Sequence, residues 1–481
     1  MSDIPRFAVV GRVNKGKSSI VATLAEDDTV RVDARPGTTT EAREYPARVD
    51  GRTLFVLVDT PGFEDAPRVL AWLRARETTA AERPARVAEF VRAFEGTDEF
   101  VDERRLLAPI LDGASVLYVV DGTKPYRPNY EAEMEILRWT GRPGMALVNR
   151  IGAGDHGEEW RRALGQYFNV VRDFDAFAVT FEERMSLLRA FRELRADWRA
   201  PVDEAIAALV AERRRRREAA AGELADLLAE ELTHVEELAV DDPAELAARR
   251  GEVEAGFHDA LRKIEARARR RVEGLYAHRA ASFQETEILA PRLQQDLFAE
   301  ETWTALGLRP GQLVAAGAIA GGVGGGVIDA AVGGASFMAG TLLGSAVGAG
   351  TALYGLGRRF AAIRPVGPGG IGALAGMARR YWSSAKRFRI GPHAAPNFPW
   401  VVLDRALLHF RAVAARTHAR RGLIAVPDPA EAGIVATLSP EERRDLERTF
   451  RKLRRHAGDP PRELRDRLAR KLEPLLARLD P

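Results

Sequence analysis

Cysteine is missing from all 481 residues, so neither disulfides nor thiolate metal centres can form, an absence that suits a reducing cytoplasm. Lysine is nearly missing too: seven of the 72 basic residues are lysine and the rest are arginine. The eight histidines are scattered, and none has the spacing of a zinc site. His409 and His418 fall on what reads as a helical surface, where packing or solvation is the ordinary explanation. The opening residues Met1-Ser2-Asp3-Ile4-Pro5 carry neither a basic region nor an apolar core, so no secretory signal is expected. The length predicts about two to four domains.

What is present stands out against that scarcity. Two of the seven lysines, Lys15 and Lys17, fall in Gly11-Arg12-Val13-Asn14-Lys15-Gly16-Lys17-Ser18, which satisfies the phosphate-loop pattern GxxxxGK[ST]. The apolar run Arg6-Phe7-Ala8-Val9-Val10 predicts a strand before it, and a helix is expected from about Ser18-Ser19-Ile20. Such a loop turns the backbone N–H groups of Asn14 to Ser19, Gly16 among them, onto anionic oxygens at a helix N-terminus. Lys17 is placed to reach the terminal phosphates, where a compact ammonium fits and a planar guanidinium does not. Ser18 is placed to ligate magnesium. Downstream, Val56-Leu57-Val58-Asp59-Thr60-Pro61-Gly62 reads as a strand ending in DxxG, with Asp59 on magnesium and the Gly62 N–H at the γ-phosphate. Between the two lies Pro36-Gly37-Thr38-Thr39-Thr40.

In this order and at these distances the three motifs resemble the Era and TrmE group of translation-factor-related small GTPases, over roughly residues 5 to 182. The resemblance implies a Ras-like α/β G domain that binds and hydrolyses GTP, with Thr39 as a magnesium ligand and catalytic alongside Lys17. It also implies that Asn14 ligates a potassium ion able to replace an arginine finger. Two departures stand beside it. NKxD reads Asn149-Arg150-Ile151-Gly152 here, so Asn149 and Arg150 border the base without the carboxylate that reads guanine, and Asp155 is the nearest acid after it. The closing SAK-like loop is replaced by Phe177-Ala178-Val179-Thr180. Phe63 occupies the position of the water-orienting glutamine of Ras-like enzymes, so that group must come from elsewhere. Glu64 and Asp65 beside it read as solvated acids.

The rest of the chain divides by texture. A helical insertion is expected within the G domain at about 63–112, where Leu70, Leu73, Val87, Phe90, Val91 and Phe94 recur at helical spacing. Residues 183–308 read as long helices broken at Asp241-Asp242-Pro243. Their run Arg213 to Arg217 reads as a solvated helix face, being flanked by Glu212 and Glu218. Residues 358–481 form a basic helical region with 26 basic and 12 acidic residues, a net of +14, and Trp400 there reads as a core or interfacial anchor. It resembles a C-terminal domain of unknown function that follows bacterial GTPase modules, a resemblance that includes the hairpin before it and brings no activity.

That hairpin, residues 309–357, is the second informative segment. From 311 onward its one charged residue is Asp329, and glycines recur at Gly317-Gly321-Gly325 and Gly340-Gly344-Gly348. Glycine at every fourth position lets helix backbones approach closely, as in lipid, and the basic region that follows suits anionic headgroups. The alternative is a hairpin buried by the flanking helices. The expectation is a cytoplasmic GTP/GDP switch, with magnesium and potassium as ions, held peripherally or integrally at the cytoplasmic face of a membrane. A ribosome- or RNA-associated assembly GTPase and a low-turnover structural membrane protein are the alternatives, and oligomerisation is left open.

Overall fold

A computed structural model describes residues 4–30, 41–150, 152, 154–239, 243–276, 278, 387–393, 396–419 and 433–481. The Pro36–Thr40 stretch with Thr39, and the hairpin at 309–357, lie outside the described residues. Among the described residues no helix is long and apolar enough to cross a membrane.

The N-terminal half is built on one sheet. Strands β1 (Arg6–Val10), β2 (Arg43–Val49), β3 (Arg52–Asp59), β4 (Ser115–Asp121), β5 (Gly144–Asn149) and β6 (Val170–Phe174) lie in the order β2-β3-β1-β4-β5-β6. Only β2 is antiparallel, paired with β3 across a tight turn at Asp50 and Gly51. The parallel strands are buried on both faces, which explains why they read as continuous apolar runs. Side chains alternate across the sheet. Phe7 and Val9 join a core with α1 (Lys17–Ala25), α7 (Phe181–Arg192) and the first turns of α8 (Arg199–Thr233). Ala8 and Val10 face the other core, built with α2 (Ala66–Arg74), α3 (Arg83–Ala93), α4 (Val101–Leu111), α5 (Glu131–Trp139) and α6 (Gly157–Leu164). Helices α2 to α4 occupy the stretch read as an insertion, and Trp72, Phe90, Phe94 and Phe100 stack edge to face among them. The division expected at 182/183 falls inside α7, whose start is set by the capping box of Thr180 and Glu183.

Helix α8 has 35 residues and is about 50 Å long, so it reaches from the sheet into a second body. There its Ala220, Leu224, Leu228 and Leu232 pack against α9 (Pro243–Leu275), α10 (Phe398–Ala414), α11 (Pro440–Leu453) and α12 (Arg462–Leu479). A two-stranded antiparallel ribbon, β7 (Glu236–Ala239) with β8 (Arg387–Ile390), joins distant parts of this helical body. Periodicity gave no sign of it, because four-residue strands carry too few alternations to register. Trp400 is half-buried edge to face on Phe450, and His409 is buried beside Glu273 at 3.0 Å.

The arginine run corrects the reading from charge pattern. Arg214, paired with Glu218, and Arg215 are exposed as that reading expects, but Arg213, Arg216 and Arg217 are partly buried at the seam between the two bodies, and Arg215 reaches across it. Arg213 pairs with Asp480 at the end of the chain, Arg217 with Glu473 at 2.9 Å, Arg215 with Asp50 at 2.7 Å, and Arg216 with Glu26 at 2.6 Å. Flanking acids cannot reveal this, since the partners lie far away in sequence.

Candidate nucleotide site

The phosphate loop leaves β1 at Gly11 and enters α1 at Lys17, on the carboxyl edge of the sheet where β1 parts from β3 on one side and β4 on the other. This is the crevice that open α/β sheets use for ligands. The loop depends on glycine at Gly11, where a Cβ would stand 2.3 Å from the Val119 carbonyl oxygen. Asn14 and Gly16 take left-handed backbone, φ 60° and 81°, and this turns the loop into a concave rim of N–H groups. Ser19, the third residue of α1, is buried.

Lys17 is buried, and its ammonium donates to the carbonyls of Gly11 and Arg12, each at 3.0 Å. Burial lowers its pKa to about 8, against the pull of Asp59, Glu133 and Asp102. Ser18 Oγ donates to Asp59 Oδ2 at 2.7 Å, so the loop and the DxxG strand meet through the two groups expected on magnesium. A hydroxyl and a carboxylate are hard oxygen donors, the kind that suits that ion. Gly62 closes the same corner: a Cβ on it would lie 2.6 Å from the backbone nitrogen of Val13. The DxxG glycine is thus pressed on the phosphate loop itself.

Lys15 is turned to Asp121 at 3.5 Å rather than outward. Burial works to raise the Asp121 pKa, but the Thr123 hydrogen bonds with Lys15 and Lys124 hold it below the usual range. Asn149, at the end of β5, is fully buried and donates through Nδ2 to the Lys15 carbonyl at 3.1 Å. It therefore ties the base-side strand to the phosphate loop. Arg150 is exposed, and its backbone N–H donates to Phe174. Gly152 is exposed with open space around it, since a Cβ there would come no closer than 3.8 Å, to Thr123 Oγ1. Asp155 is exposed and accepts from the Gly157 N–H at 3.3 Å near the start of α6. Phe63 is buried in the core under α2, where it cannot orient water.

Two residues of the site, Glu103 and Glu133, escaped the sequence reading. Glu103 of α4 is buried and accepts the backbone N–H groups of Glu64 at 2.9 Å and Asp65 at 2.6 Å, so the insertion grips the segment after DxxG. Asp65 also caps α2. Arg12 ion-pairs with the buried Glu133 of α5 and lies 3.9 Å over the Tyr130 ring, while Tyr118 donates to Glu133 at 2.9 Å. Burial raises the Glu133 pKa despite Arg12. A carboxylate on an amphipathic helix reads as solvated, so no sequence signal marks Glu103 or Glu133.

A phosphate loop joined to DxxG at the switch edge of a Ras-like α/β sheet defines a P-loop GTPase domain. Residues 6–150 match the family described as 50S ribosome-binding GTPase. Residues 161–475, well over half of the chain, match the domain of unknown function DUF3482, and the chain belongs to that family. GTPase Der of Rhodopirellula baltica is 38% identical over 89 residues, 18% of this chain and 19% of that protein. GTPase Der of Nostoc punctiforme is 28% identical over 178 residues, 35% of this chain and 32% of that protein. The chain thus spans about a fifth to a third of the length of these curated relatives. The crystal structure of Era in complex with MgGDPNP and nucleotides 1506–1542 of 16S ribosomal RNA matches with 16% identity and a TM-score of 0.26, over 37% of this chain and 52% of that one.

Proposed function

We propose that the chain is a GTP-hydrolysing switch whose nucleotide state is passed from the G domain to the helical body. The observation that carries this is the meeting of Ser18 with Asp59 at 2.7 Å, beside Gly62 packed on Val13, because a γ-phosphate entering that corner must part or re-seat the DxxG segment. Ser18 and Asp59 would hold a magnesium ion, which would neutralise phosphate charge. Lys17 adds its ammonium, the loop N–H groups orient the phosphates, and Glu103 keeps the segment after Gly62 in place. Movement there has a path outward, since Glu26 at the end of α1 is bonded to Arg184 of α7 and Arg216 of α8.

Base selection is the weak point of the site, because Gly152 offers no acceptor to guanine N1 and N2. The unmodified protein should therefore discriminate GTP from ATP less sharply than a site with that carboxylate, and Gly152→Asp should increase the ratio by about tenfold or more. Turnover measured with both nucleotides, in potassium and in sodium, checks this together with the potassium role of the exposed Asn14. Strong GTP selectivity that is lost on changing Asp155 would instead show that the base contact has moved.

Two readings of the output each have an observation behind them. The match of residues 6–150 to a family described as ribosome-binding favours a ribosomal partner. The uncharged, glycine-spaced 311–357 and the +14 region after it favour anionic lipid. Sedimentation of the full chain with purified ribosomes and with anionic vesicles, in GDP and in a non-hydrolysable GTP analogue, separates them. Nucleotide-dependent binding to one and not the other decides the partner, and binding to neither sinks both.

A further inference from the structure

At the seam between the bodies, Asp28 in the loop after α1, His278 just beyond α9 and His418 just beyond α10 bring together one carboxylate oxygen and one nitrogen from each ring, all within 4.8 Å of one another. We propose that these three residues form a binding site for a divalent transition-metal ion of the zinc class, fastening the G domain to the helical body.

The decisive atom is on His278. Its Nε2 lies 3.2 Å from the Val413 carbonyl, which only accepts, so Nε2 carries the proton and Nδ1 presents a lone pair. The residue is 95% buried, and Nδ1 has no hydrogen-bond partner. Left so, a buried lone pair forfeits its hydration with nothing in return. A ring nitrogen aimed at a metal while the other N–H is fixed by a backbone carbonyl is the usual arrangement of a ligating histidine. His418 is likewise buried, its Nδ1 is 2.8 Å from Asp28 Oδ1, and the two rings face each other with centroids 4.6 Å apart. Without a metal, His418 donates that N–H to the carboxylate. With one, the proton moves to Nε2 and both atoms become ligands.

The dimensions and the donors agree. Zinc bonds of about 2.0–2.1 Å at tetrahedral angles set ligand atoms about 3.3 Å apart, a rearrangement well under 2 Å from the present positions. Two imidazoles and one carboxylate select a borderline ion over magnesium, which prefers an all-oxygen shell. Three protein ligands leave a fourth position. His278 and His418 line a cavity of about 100 Å³ together with Tyr276 and Thr417, so a metal-bound water has room beside the site. Arg184, Arg213, Arg216 and Arg416 line the cavity as opposing charges, with the carboxylates of Glu26 and Glu212 among them, so the ion must be held by its three ligands against that field. The site's place gives it consequence: Asp28 lies shortly before Pro36-Gly37-Thr38-Thr39-Thr40 in the sequence, so an ion here would fasten the chain leading to Thr39 on the helical body.

The test uses the full-length protein stripped with chelator, its nucleotide site blocked with saturating magnesium and GDP, and zinc alone as the probe. Isothermal titration should show one zinc per chain with a Kd of micromolar or tighter, and zinc should raise Tm by several degrees. His278→Gln keeps a donor for the Val413 carbonyl but loses the lone pair at Nδ1; it should bind zinc at least 100-fold more weakly while holding GDP as the unmodified protein does. His418→Gln should lose zinc equally. Cobalt added to the unmodified protein should give the strong visible d–d bands of a four-coordinate site, a readout that needs no variant to fold. Absence of those bands, or zinc affinity unchanged in His278→Gln, overturns the assignment.

Discussion

Replacing Lys17 with alanine lowers triphosphate affinity about 100-fold or more and leaves the fold intact, because hydrogen bonds to a charged group contribute about 1.5–3 kcal/mol each and the ammonium makes several to phosphate. That ammonium rests on the carbonyls of Gly11 and Arg12, and burial lowers its pKa to about 8. Alanine thus removes an ill-solvated charge from a loop whose shape is set by backbone contacts at Gly11 and Gly62. Ser18→Ala acts on the same phosphates through magnesium, and its loss of binding should shrink when magnesium is withheld. A pH dependence follows, with its sign fixed. Phosphate binds the protonated amine, so occupancy returns the Lys17 pKa toward its ordinary 10.5. Affinity should be flat below about pH 8 and fall about tenfold per pH unit above it, until the pKa of the bound form is reached. Fluorescent-nucleotide titration from pH 7 to 9.5, with melting curves on each variant, reads both effects. Wild-type affinity in either variant, or a flat profile to pH 9.5, would remove Lys17 and Ser18 from the site.

How much of this was legible depended on whether a feature is local. The phosphate loop and DxxG are short, and each carries its own strand-to-loop geometry, so Lys17, Ser18, Asp59 and Gly62 were found from spacing alone and come together at one corner of the sheet. The strands at 6–10 and 56–59 announced themselves as apolar runs, whereas the capping box of Thr180 and Glu183 emerged only with the structure. Partners across the fold left no such trace. Glu103, Glu133, Arg213, Arg216 and Arg217 look like ordinary surface charges until folding delivers partners from 38 to 267 residues away. The histidines show the same limit: His278 and His418 are 140 positions apart in the sequence, so no spacing rule for metal ligands reaches them. The β7–β8 ribbon was missed for a related reason, since each strand is short and its partner lies about 150 residues on.

The largest effect on stability belongs to Glu26. It ends α1 in left-handed backbone, φ 51°, and holds its carboxylate between Arg184 at 2.7 Å and Arg216 at 2.6 Å, with all three side chains no more than 17% exposed. Glu26→Ala leaves Arg184 without its carboxylate and Arg216 with Glu212 alone, at 2.8 Å, in a poorly hydrated seam, and breaking a buried pair in this way costs about 3–5 kcal/mol. Backbone strain does not contribute to the difference, because glutamate and alanine both carry a Cβ at that φ. Glu26→Gln keeps the shape and some hydrogen bonding, so its cost should fall between the two. Burial works to raise the carboxylate pKa, but the two arginines hold it far below the usual 4.5. The stabilisation is therefore complete above the ordinary carboxylate range and is lost only as acid reaches and passes below it. Urea unfolding of the full chain at pH 7 and pH 4 should show the variant's deficit largest at the higher pH. Because Glu26 is the charged contact of α1's C-terminal end with both Arg184 of α7 and Arg216 of α8, the variant should also lose part of the stabilisation that bound nucleotide confers on the helical body. Protection of α8 amides from hydrogen exchange, compared with and without GDP, measures that loss directly. If Glu26→Ala unfolds at the wild-type midpoint and α8 still gains protection on GDP binding, the clasp carries neither stability nor signal, and the coupling must run through another part of the seam.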